Sequence, residues 1–179
     1  NYALSTFLVR VKDTSAPMAL AGIDQTVPQG HEVLFNGSKS TDNVVVNNWT
    51  WSFQYDNTAQ YIYGMETTFT FWTVGNYQVT LTVLDASDND DTDIMWINVT
   101  DSTPPVAEAG DDETVNQGSR ITFDGRSSFD NVAIINYTWT FNDGENRTIY
   151  GQRAFYVFNN PGTYVVTLTV MDEAGNTGG

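Results

Sequence analysis

The sequence predicts an all-β chain that folds as two tandem immunoglobulin-like sandwiches. Apolar and polar residues alternate along residues 48–53 and 136–141, which is the two-residue period of a half-buried strand. The two segments match each other, with Trp51 and Trp139 standing 88 positions apart. No apolar stretch of helix length shows the 3.6-residue period of a helix. A central Trp on such a strand is typical of an immunoglobulin-like core.

The repeat keeps one register along the chain and divides it into two small domains. We place these domains at residues 14–101 and 102–179, because an internal repeat of this length indicates tandem units. Tyr77 and Tyr164 each follow a glycine turn, a position that resembles the tyrosine corner of Greek-key sandwiches. Further matching segments are residues 21–30 with 109–118, predicted strands 67–71 with 154–158, and predicted strands 77–83 with 164–170.

The first residues predict a strand that has no domain of its own. Residues 1–13 repeat the pattern of residues 95–99, with Phe7, Val9 and Val11 on one side. The second domain, in turn, ends one strand short of the first. We therefore expect these residues to be the final strand of a preceding or neighbouring domain, which they complete head to tail. The strand is supplied either by donation between copies of the chain or by covalent continuation of a longer array.

Composition narrows the classes of partner. The net charge is −15 with seven Lys and Arg, so phosphate backbones and anionic lipid surfaces would be repelled. We expect no nucleic-acid partner. No run reaches the 18 apolar residues of a membrane-spanning helix, so we expect no membrane insertion in this segment. The absence of cysteine excludes disulfides and thiolate metal sites.

Four motifs together resemble the PKD domain, and they cover nearly the whole chain. They are Ala-Gly-x-Asp-x-Thr-Val-x-x-Gly, Gly-x-x-Ser-x-Asp-Asn, aromatic-x-Trp-x-Phe, and Pro-Gly-x-Tyr-x-Val-Thr-Leu-Thr-Val. The Trp-x-Phe-Gly-Asp-Gly signature survives at residues 139–144, whereas residues 54–56 depart from it and predict a remodelled hairpin. The resemblance implies a non-catalytic spacer or adhesion module of an extracellular protein, most similar to archaeal cell-surface arrays.

Five acceptor motifs of the form Asn-x-Ser/Thr predict N-linked glycans. Asn48 and Asn136 lie on the outward face opposite the two tryptophans, where a glycan has room in solvent. The alternative is that these are ordinary polar residues on a wet face. The five predicted acceptors are Asn36, Asn48, Asn98, Asn136 and Asn146.

A repeated Asp-Asn pair raises the possibility of calcium as a cofactor. Asp42, Asn43, Asp130 and Asn131 occupy matching positions, and calcium prefers carboxylate and amide oxygens. The alternative is that each Asp caps its own turn by accepting backbone hydrogen bonds. The acidic run at residues 85–93 does not match an EF-hand loop, and we interpret it as not repeated.

No pattern predicts catalysis, so we expect a protein that is not an enzyme. His31 is the only histidine, and no Gly-x-Ser-x-Gly elbow is present. Trp72 and Trp96 fall on the outward face and are candidates for an interface or a glycan-covered surface. The predicted function is a glycosylated, strand-complemented structural repeat of an extracellular surface or filament. The alternatives are a carbohydrate- or protein-binding adhesion module, or accessory domains of a secreted hydrolase.

Overall fold

A computed structural model describes residues 2–179 and separates the chain into two units, of which the first ends at Thr100 and the second spans Asp101–Gly179. The described residues include no helix that is both long and apolar enough to span a membrane. The strands of the first unit are β1 (Gln25–Pro28), β2 (Glu32–Asn36), β3 (Val46–Tyr55), β4 (Thr58–Tyr63), β5 (Glu66–Thr70), β6 (Gly75–Asp85) and β7 (Asp90–Thr100). Those of the second unit are β8 (Arg120–Asp124), β9 (Ile134–Asn142), β10 (Asn146–Tyr150), β11 (Arg153–Val157), β12 (Thr167–Asp172) and β13 (Thr177–Gly178).

The first unit is a sandwich of two sheets. The larger sheet has the order β1-β7-β6-β3-β4, in which β1 runs parallel to β7 and the other neighbours are antiparallel. The smaller sheet pairs β2 with β5. Inward residues of both sheets form one core, since Phe35 of β2 is as fully buried as Leu81 of β6 and Ile97 of β7. The predicted immunoglobulin-like sandwich is confirmed.

The second unit repeats this arrangement with fewer strands. Its larger sheet has the order β10-β9-β12-β13, and β8 pairs with β11 in the smaller one. Strand β13 is short and pairs with β12 only at Val170 and Met171. In the first unit, by contrast, β7 pairs with β6 from Gly75 to Leu84. The larger sheet of the second unit therefore has a long unpaired edge.

The tryptophan strand forms the centre of each core, as predicted. Trp51 on β3 is 0% exposed and Trp139 on β9 is 1% exposed. Each indole Nε1 donates a hydrogen bond, to the carbonyl of Gly64 at 3.1 Å and of Gly151 at 3.0 Å, respectively. The buried polar atom of each ring is therefore satisfied, which a buried Trp requires.

The two tyrosine corners predicted from sequence are present. The Tyr77 hydroxyl donates to the carbonyl of Thr73 at 2.7 Å, and the Tyr164 hydroxyl donates to the carbonyl of Asn160 at 2.8 Å. Each ring also stacks on a core phenylalanine, Phe71 in the first unit, at 4.6 Å between centroids. The corner thus ties the turn before the strand to the core.

Changing Tyr77 to Phe is expected to lower the free energy of unfolding of the first unit by about 1 kcal/mol, since it removes one hydrogen bond and keeps the ring contact. Urea denaturation of the full chain measures this loss. Tyr61→Phe is the matched control, because Tyr61 is 60% exposed and carries no such corner. Equal losses in the two variants would show that the corner hydrogen bond does not contribute.

The hairpin after the tryptophan strand differs between the units, as predicted. In the first unit, Asp56 and Asn57 join β3 to β4 and have φ angles of 49° and 60°. Positive φ at both positions of a two-residue loop is the type I′ hairpin turn. In the second unit a three-residue loop at residues 143–145 joins β9 to β10, with Gly144 at φ 106°.

Residues 2–12 pair with no sheet edge in the described part of the chain, and their addition to another domain stays a prediction. Three other strand predictions need correction. The strand predicted at residues 164–170 begins only at Thr167. Residues 164–166 lack the neighbour that β7 gives to β6, and an unpaired segment does not maintain a ladder. The strands predicted at residues 67–71 and 154–158 each begin and end one residue earlier.

Candidate functional site

Each unit brings three aspartates into one cluster. One carboxylate oxygen from each of Asp13, Asp42 and Asp85 lies within 4.8 Å of the others, and Asp101, Asp130 and Asp172 are grouped in the same way. The first member precedes the sandwich, the second lies before the tryptophan strand, and the third ends β6 or β12. The clusters are therefore a repeated feature of the fold. They include the predicted residues Asp42 and Asp130.

Capping of its own turn, the alternative to calcium binding, accounts for only one carboxylate oxygen of Asp130. Its Oδ2 accepts hydrogen bonds from the backbone of Val132 at 2.9 Å and Ala133 at 3.1 Å, and Asp42 caps its own turn in the same way. These Asx turns are confirmed. However, Oδ1 of Asp130 is buried and accepts no hydrogen bond from the described residues. A buried acceptor normally has a partner, so this atom is a candidate ligand.

The third aspartate of each cluster is a buried anion. Asp85 is 3% exposed and Asp172 is 0% exposed. Burial raises the pKa of Asp85, but hydrogen bonds from Asn89 and Ser87 outweigh it, so the pKa lies below the usual value for Asp. The pKa of Asp172 is lowered against the same effect of burial by hydrogen bonds from Asn176. Both carboxylates are therefore ionised at neutral pH.

The predicted asparagines lie beside these clusters. The Asn131 amide donates to Asp101 Oδ1 at 3.2 Å. With Nδ2 turned inward, Asn43 donates to Asp42 Oδ1 at 2.9 Å; with Oδ1 inward, it offers the cluster one more oxygen. In the described residues, no Lys or Arg forms an ion pair with the six aspartates. Lys12 lowers the pKa of Asp85 only as the smallest of its causes. Three carboxylates and an amide without an ion-paired cation fit the oxygen ligands that calcium prefers.

The unpaired edge of the second unit opens a groove of about 890 Å³. In the first unit β7 occupies the equivalent position, where Met95, Ile97 and Val99 are 0–1% exposed. Core residues line the groove in the second unit, and an acidic stretch forms its rim. The lining includes Val115, Ile121, Phe158, Tyr164 and Val166, and the rim consists of Asp111, Asp112 and Glu113.

The predicted donor residues are exposed. Phe7, Val9 and Val11 are 88%, 66% and 88% exposed, respectively. Within the described chain these side chains do not pack on either core. The chain thus has an exposed apolar segment and a groove that is lined by core residues as well as by polar and acidic ones.

The five predicted glycan acceptors all lie on strands, with Asn36 at the end of β2 and Asn146 at the start of β10. Asn36, Asn48 and Asn146 are exposed, and Asn98 and Asn136 are half-buried. The Asn36 amide donates to Glu66 at 2.6 Å, and a glycan would replace one of the two hydrogens on this nitrogen. The Asn146 carbonyl oxygen accepts from Asn142 at 2.8 Å, which leaves its amide nitrogen directed elsewhere.

The two tryptophans predicted on outward faces are exposed. Trp72 is 70% exposed and Trp96 is 42% exposed. The Trp72 ring covers the backbone of Gly30, where a Cβ would lie 2.9 Å from the ring. Because Gly30 also has a φ of 76°, glycine is required there for two reasons.

Sequence reasoning missed four cluster residues, namely Asp13, Asp85, Asp101 and Asp172. The interpretation that the acidic run at residues 85–93 is not repeated is wrong for its first member, since Asp85 and Asp172 fill the same position. Other members of that run have a structural role. Asp91 and Asp93 each accept a backbone hydrogen bond at 2.8 Å, from the residues before β1.

Comparison with known proteins identifies relatives along most of the chain. The mouse dyslexia-associated protein KIAA0319-like protein is 30% identical over 171 residues, which cover 88% of this chain and 16% of that protein. The rat dyslexia-associated protein KIAA0319 homolog is 29% identical over 151 residues, covering 80% of this chain and 14% of that protein. The chain thus spans about one sixth of the length of these curated relatives.

Solved structures give weaker similarities. The DIP-gamma IG1+IG2 crystal structure aligns with a TM-score of 0.44 at 12% identity, covering 91% of this chain and 93% of that one. A structure of carbohydrate-binding modules from the beta-sandwich superfamily aligns with a TM-score of 0.43 at 14% identity, covering 87% and 84%. The model of the PKD domain family matches residues 14–99 and again residues 102–179. The chain belongs to the PKD domain family and contains two tandem members of it.

Proposed function

We propose that the chain is a non-catalytic structural repeat of an extracellular surface or filament protein. In this proposal its sandwiches are completed head to tail by donated strands, stabilised by calcium and coated with N-linked glycans. The observation that carries the proposal is the open groove of the second unit, together with the exposed apolar segment at residues 2–12.

The first unit supplies the register of the contact. Its Met95, Ile97 and Val99 oppose Val79, Tyr77 and Gly75 of β6. At the repeat offsets, Phe7, Val9 and Val11 would oppose Val166, Tyr164 and Gly162 in the second unit. Each buried side chain contributes about 1.5–3 kcal/mol, and the added strand supplies backbone hydrogen bonds to residues 162–166, which precede β12 and belong to no strand.

Opposite charges also favour the pairing of the donor segment, residues 2–12, with the groove. The chain has seven Lys and Arg against 22 Asp and Glu, yet Arg10 and Lys12 both lie in the donor segment. Asp111, Asp112 and Glu113 lie along the groove. Opposite charges at the rim steer association and fix its register, and salt weakens their effect.

Calcium and glycans complete the proposed module. Two clusters of buried or half-buried carboxylates, neither of which forms an ion pair with a Lys or Arg in the described residues, support calcium at Asp13, Asp42 and Asp85 and at Asp101, Asp130 and Asp172. Extracellular modules bind calcium with dissociation constants of about 10⁻⁴–10⁻³ M. Exposure of Asn36, Asn48 and Asn146 supports glycosylation in such a compartment.

A peptide spanning residues 2–13 is expected to bind the groove and to raise the unfolding temperature of the second unit. The acceptor in this experiment is the full chain carrying Val9→Asp, since that variant cannot use its own segment. Calorimetry gives stoichiometry, and we expect one peptide per chain. A peptide with Val9→Asp is the matched control, because one buried carboxylate should prevent insertion.

The mass of the chain in solution then distinguishes strand donation between copies from a strand supplied by continuing polypeptide. If copies donate strands to each other, the unchanged 179-residue chain forms concentration-dependent oligomers, and its Val9→Asp variant is monomeric. If the strand instead comes from polypeptide that continues the array, the peptide binds but the unchanged chain stays monomeric. A chain that binds no peptide, with a second unit that is already fully stable, would contradict strand complementation.

The exposed tryptophans favour a second candidate, a carbohydrate- or protein-binding adhesion module or the accessory domains of a secreted hydrolase. Trp72 and Trp96 give the first unit two large exposed rings, and exposed apolar surface marks interaction sites. Such a module would stay monomeric and show titratable affinity for a soluble partner, unlike a structural repeat.

A further inference from the structure

One face of the larger sheet of the first unit carries several aromatic rings, and its charged side chains lie at the margin, namely Asp90 at the start of β7 and Asp24 beside the backbone of Trp96. This outer face is formed by the side chains of β7, β6, β3 and β4 that point away from the core. Across it, Trp96 pairs with Gln78, and Ser52 lies between Thr80 and Tyr61. A shallow depression of about 450 Å³ contains these residues, and none of its lining side chains is ionisable except tyrosine. The net charge of the chain is −15, so a depression without charged lining residues is a candidate site for an uncharged partner.

Asn98 lies on the same face as Trp96 and the same strand. Alternate residues of a strand point to one side and stand about 7 Å apart. Their neighbours Met95, Ile97 and Val99 are buried, which fixes the outward direction of both side chains. In the described part of the chain, the Asn98 amide donates no hydrogen bond, so its nitrogen is not engaged as that of Asn36 is.

Sugar chemistry matches this arrangement. A pyranose ring has a flat face of C–H groups and a rim of hydroxyls, so it packs on an aromatic ring and bonds to amides around it. Trp96 offers a half-exposed ring, and Gln78 stands directly beside it on β6. We propose that the N-linked glycan of Asn98 folds back onto the outer face and that its first sugar stacks on Trp96. The inference rests on the glycosylation included in the proposed function.

Covalent attachment at Asn98 favours this glycan over a free carbohydrate as the group that occupies the face. A group attached two residues away has an effective concentration of about 1 mM or more, so even a shallow face binds it. The other four acceptors do not share this arrangement. Two positions before them stand Leu34, Val46, Ile134 and Gly144, none of which is aromatic.

A double-mutant cycle on the full chain tests the inference. The wild type, Asn98→Gln, Trp96→Ala and the double variant are produced in a glycosylating host, and peptide mass gives occupancy at Asn98. We expect Asn98→Gln to lower the melting temperature of the first unit by roughly 4 °C in the Trp96 background. We expect no change in the Trp96→Ala background. In a host that does not glycosylate, the cycle should show no coupling.

Two controls keep the readout specific. Asn146→Gln removes a glycan that has no ring beneath it and should leave the melting temperature unchanged. Hydroxyl-radical footprinting should show Trp96 protected only when Asn98 is glycosylated. If Trp96→Ala does not fold, Trp96→Leu replaces it, because leucine fills the site without a ring face.

The outcomes separate this inference from the proposed function. An occupied Asn98 without coupling and without protection of Trp96 overturns the stacking and leaves glycosylation standing. If Asn98 carries no glycan, both the stacking on Trp96 and the proposed glycosylation at this position are overturned. Binding of added oligosaccharide to the non-glycosylated chain, lost in Trp96→Ala, would assign the face to a free carbohydrate and overturn the tethered occupant.

Discussion

Replacing Trp51 with alanine is expected to remove about 3–5 kcal/mol from the free energy of unfolding of the first unit. The side chain is 0% exposed and packs on Phe35 at 5.4 Å between ring centroids. Its loss leaves a cavity between the two sheets and removes the hydrogen bond to the carbonyl of Gly64. Because a small domain has a net stability of about 5–15 kcal/mol, the variant should lose a large share of its stability.

Urea denaturation followed by circular dichroism measures the effect of Trp51→Ala, and Trp72→Ala is the matched control. Trp72 is the same residue type but is 70% exposed, so its removal should change the stability by about 0.5 kcal/mol or less. Trp139→Ala should destabilise the second unit in the same way and leave the stability of the first one unchanged. Comparable losses at Trp51 and Trp72 would show that burial does not determine the cost.

The sandwich could be predicted because its signals are local. Alternation along a strand and a central Trp each depend on a few neighbouring residues, so β3 and β9 were found directly. The pairing at the far edge of each sheet could not be found in this way. Strand β12 is shorter than its repeat partner β6 although the two sequences match, since its length depends on a neighbouring strand.

The acidic clusters were likewise only partly predictable, because their members are distant from each other in the sequence. Asp42 and Asp130 were predicted because each stands beside a repeated asparagine. Asp13 and Asp85 lie 72 positions apart in the sequence and meet only in the folded unit. Their signal was nonetheless present, since both recur in the second unit, and comparing the ends of matching strands would have revealed it.

Calcium added to the metal-free chain is expected to raise the unfolding temperature of both units. A ligand that binds only the folded state stabilises it by about 2.7 kcal/mol at a concentration 100 times its dissociation constant. Three carboxylates within 4.8 Å repel each other, and a divalent cation removes that repulsion. Differential scanning calorimetry in chelator and in calcium measures the increment, with magnesium as a second ion whose stricter octahedral geometry should give a smaller effect.

Each cluster has its own matched variant, which makes the assignment specific. Asp85→Asn should abolish the calcium increment of the first unit alone, and Asp172→Asn that of the second alone. Asp124→Asn is the control, since Asp124 pairs with Arg126 at 2.7 Å outside both clusters. Increments that persist in both cluster variants would exclude these sites.

The effect of calcium on the acid unfolding of each unit follows from the direction of the pKa shifts of Asp85 and Asp172. Hydrogen bonds hold the pKa of Asp85 and Asp172 below the usual value, after burial has raised it, so both carboxylates stabilise the folded state above the pKa of an unfolded Asp. That contribution is lost as the pH falls through the lower, folded pKa. Calcium binds the ionised form and lowers the pKa further, so the acid transition of each unit should move to lower pH in calcium. A transition that calcium leaves in place would mean that the clusters bind no ion, and that hydrogen bonds from Asn89 and Asn176 are sufficient to keep two buried anions in the fold.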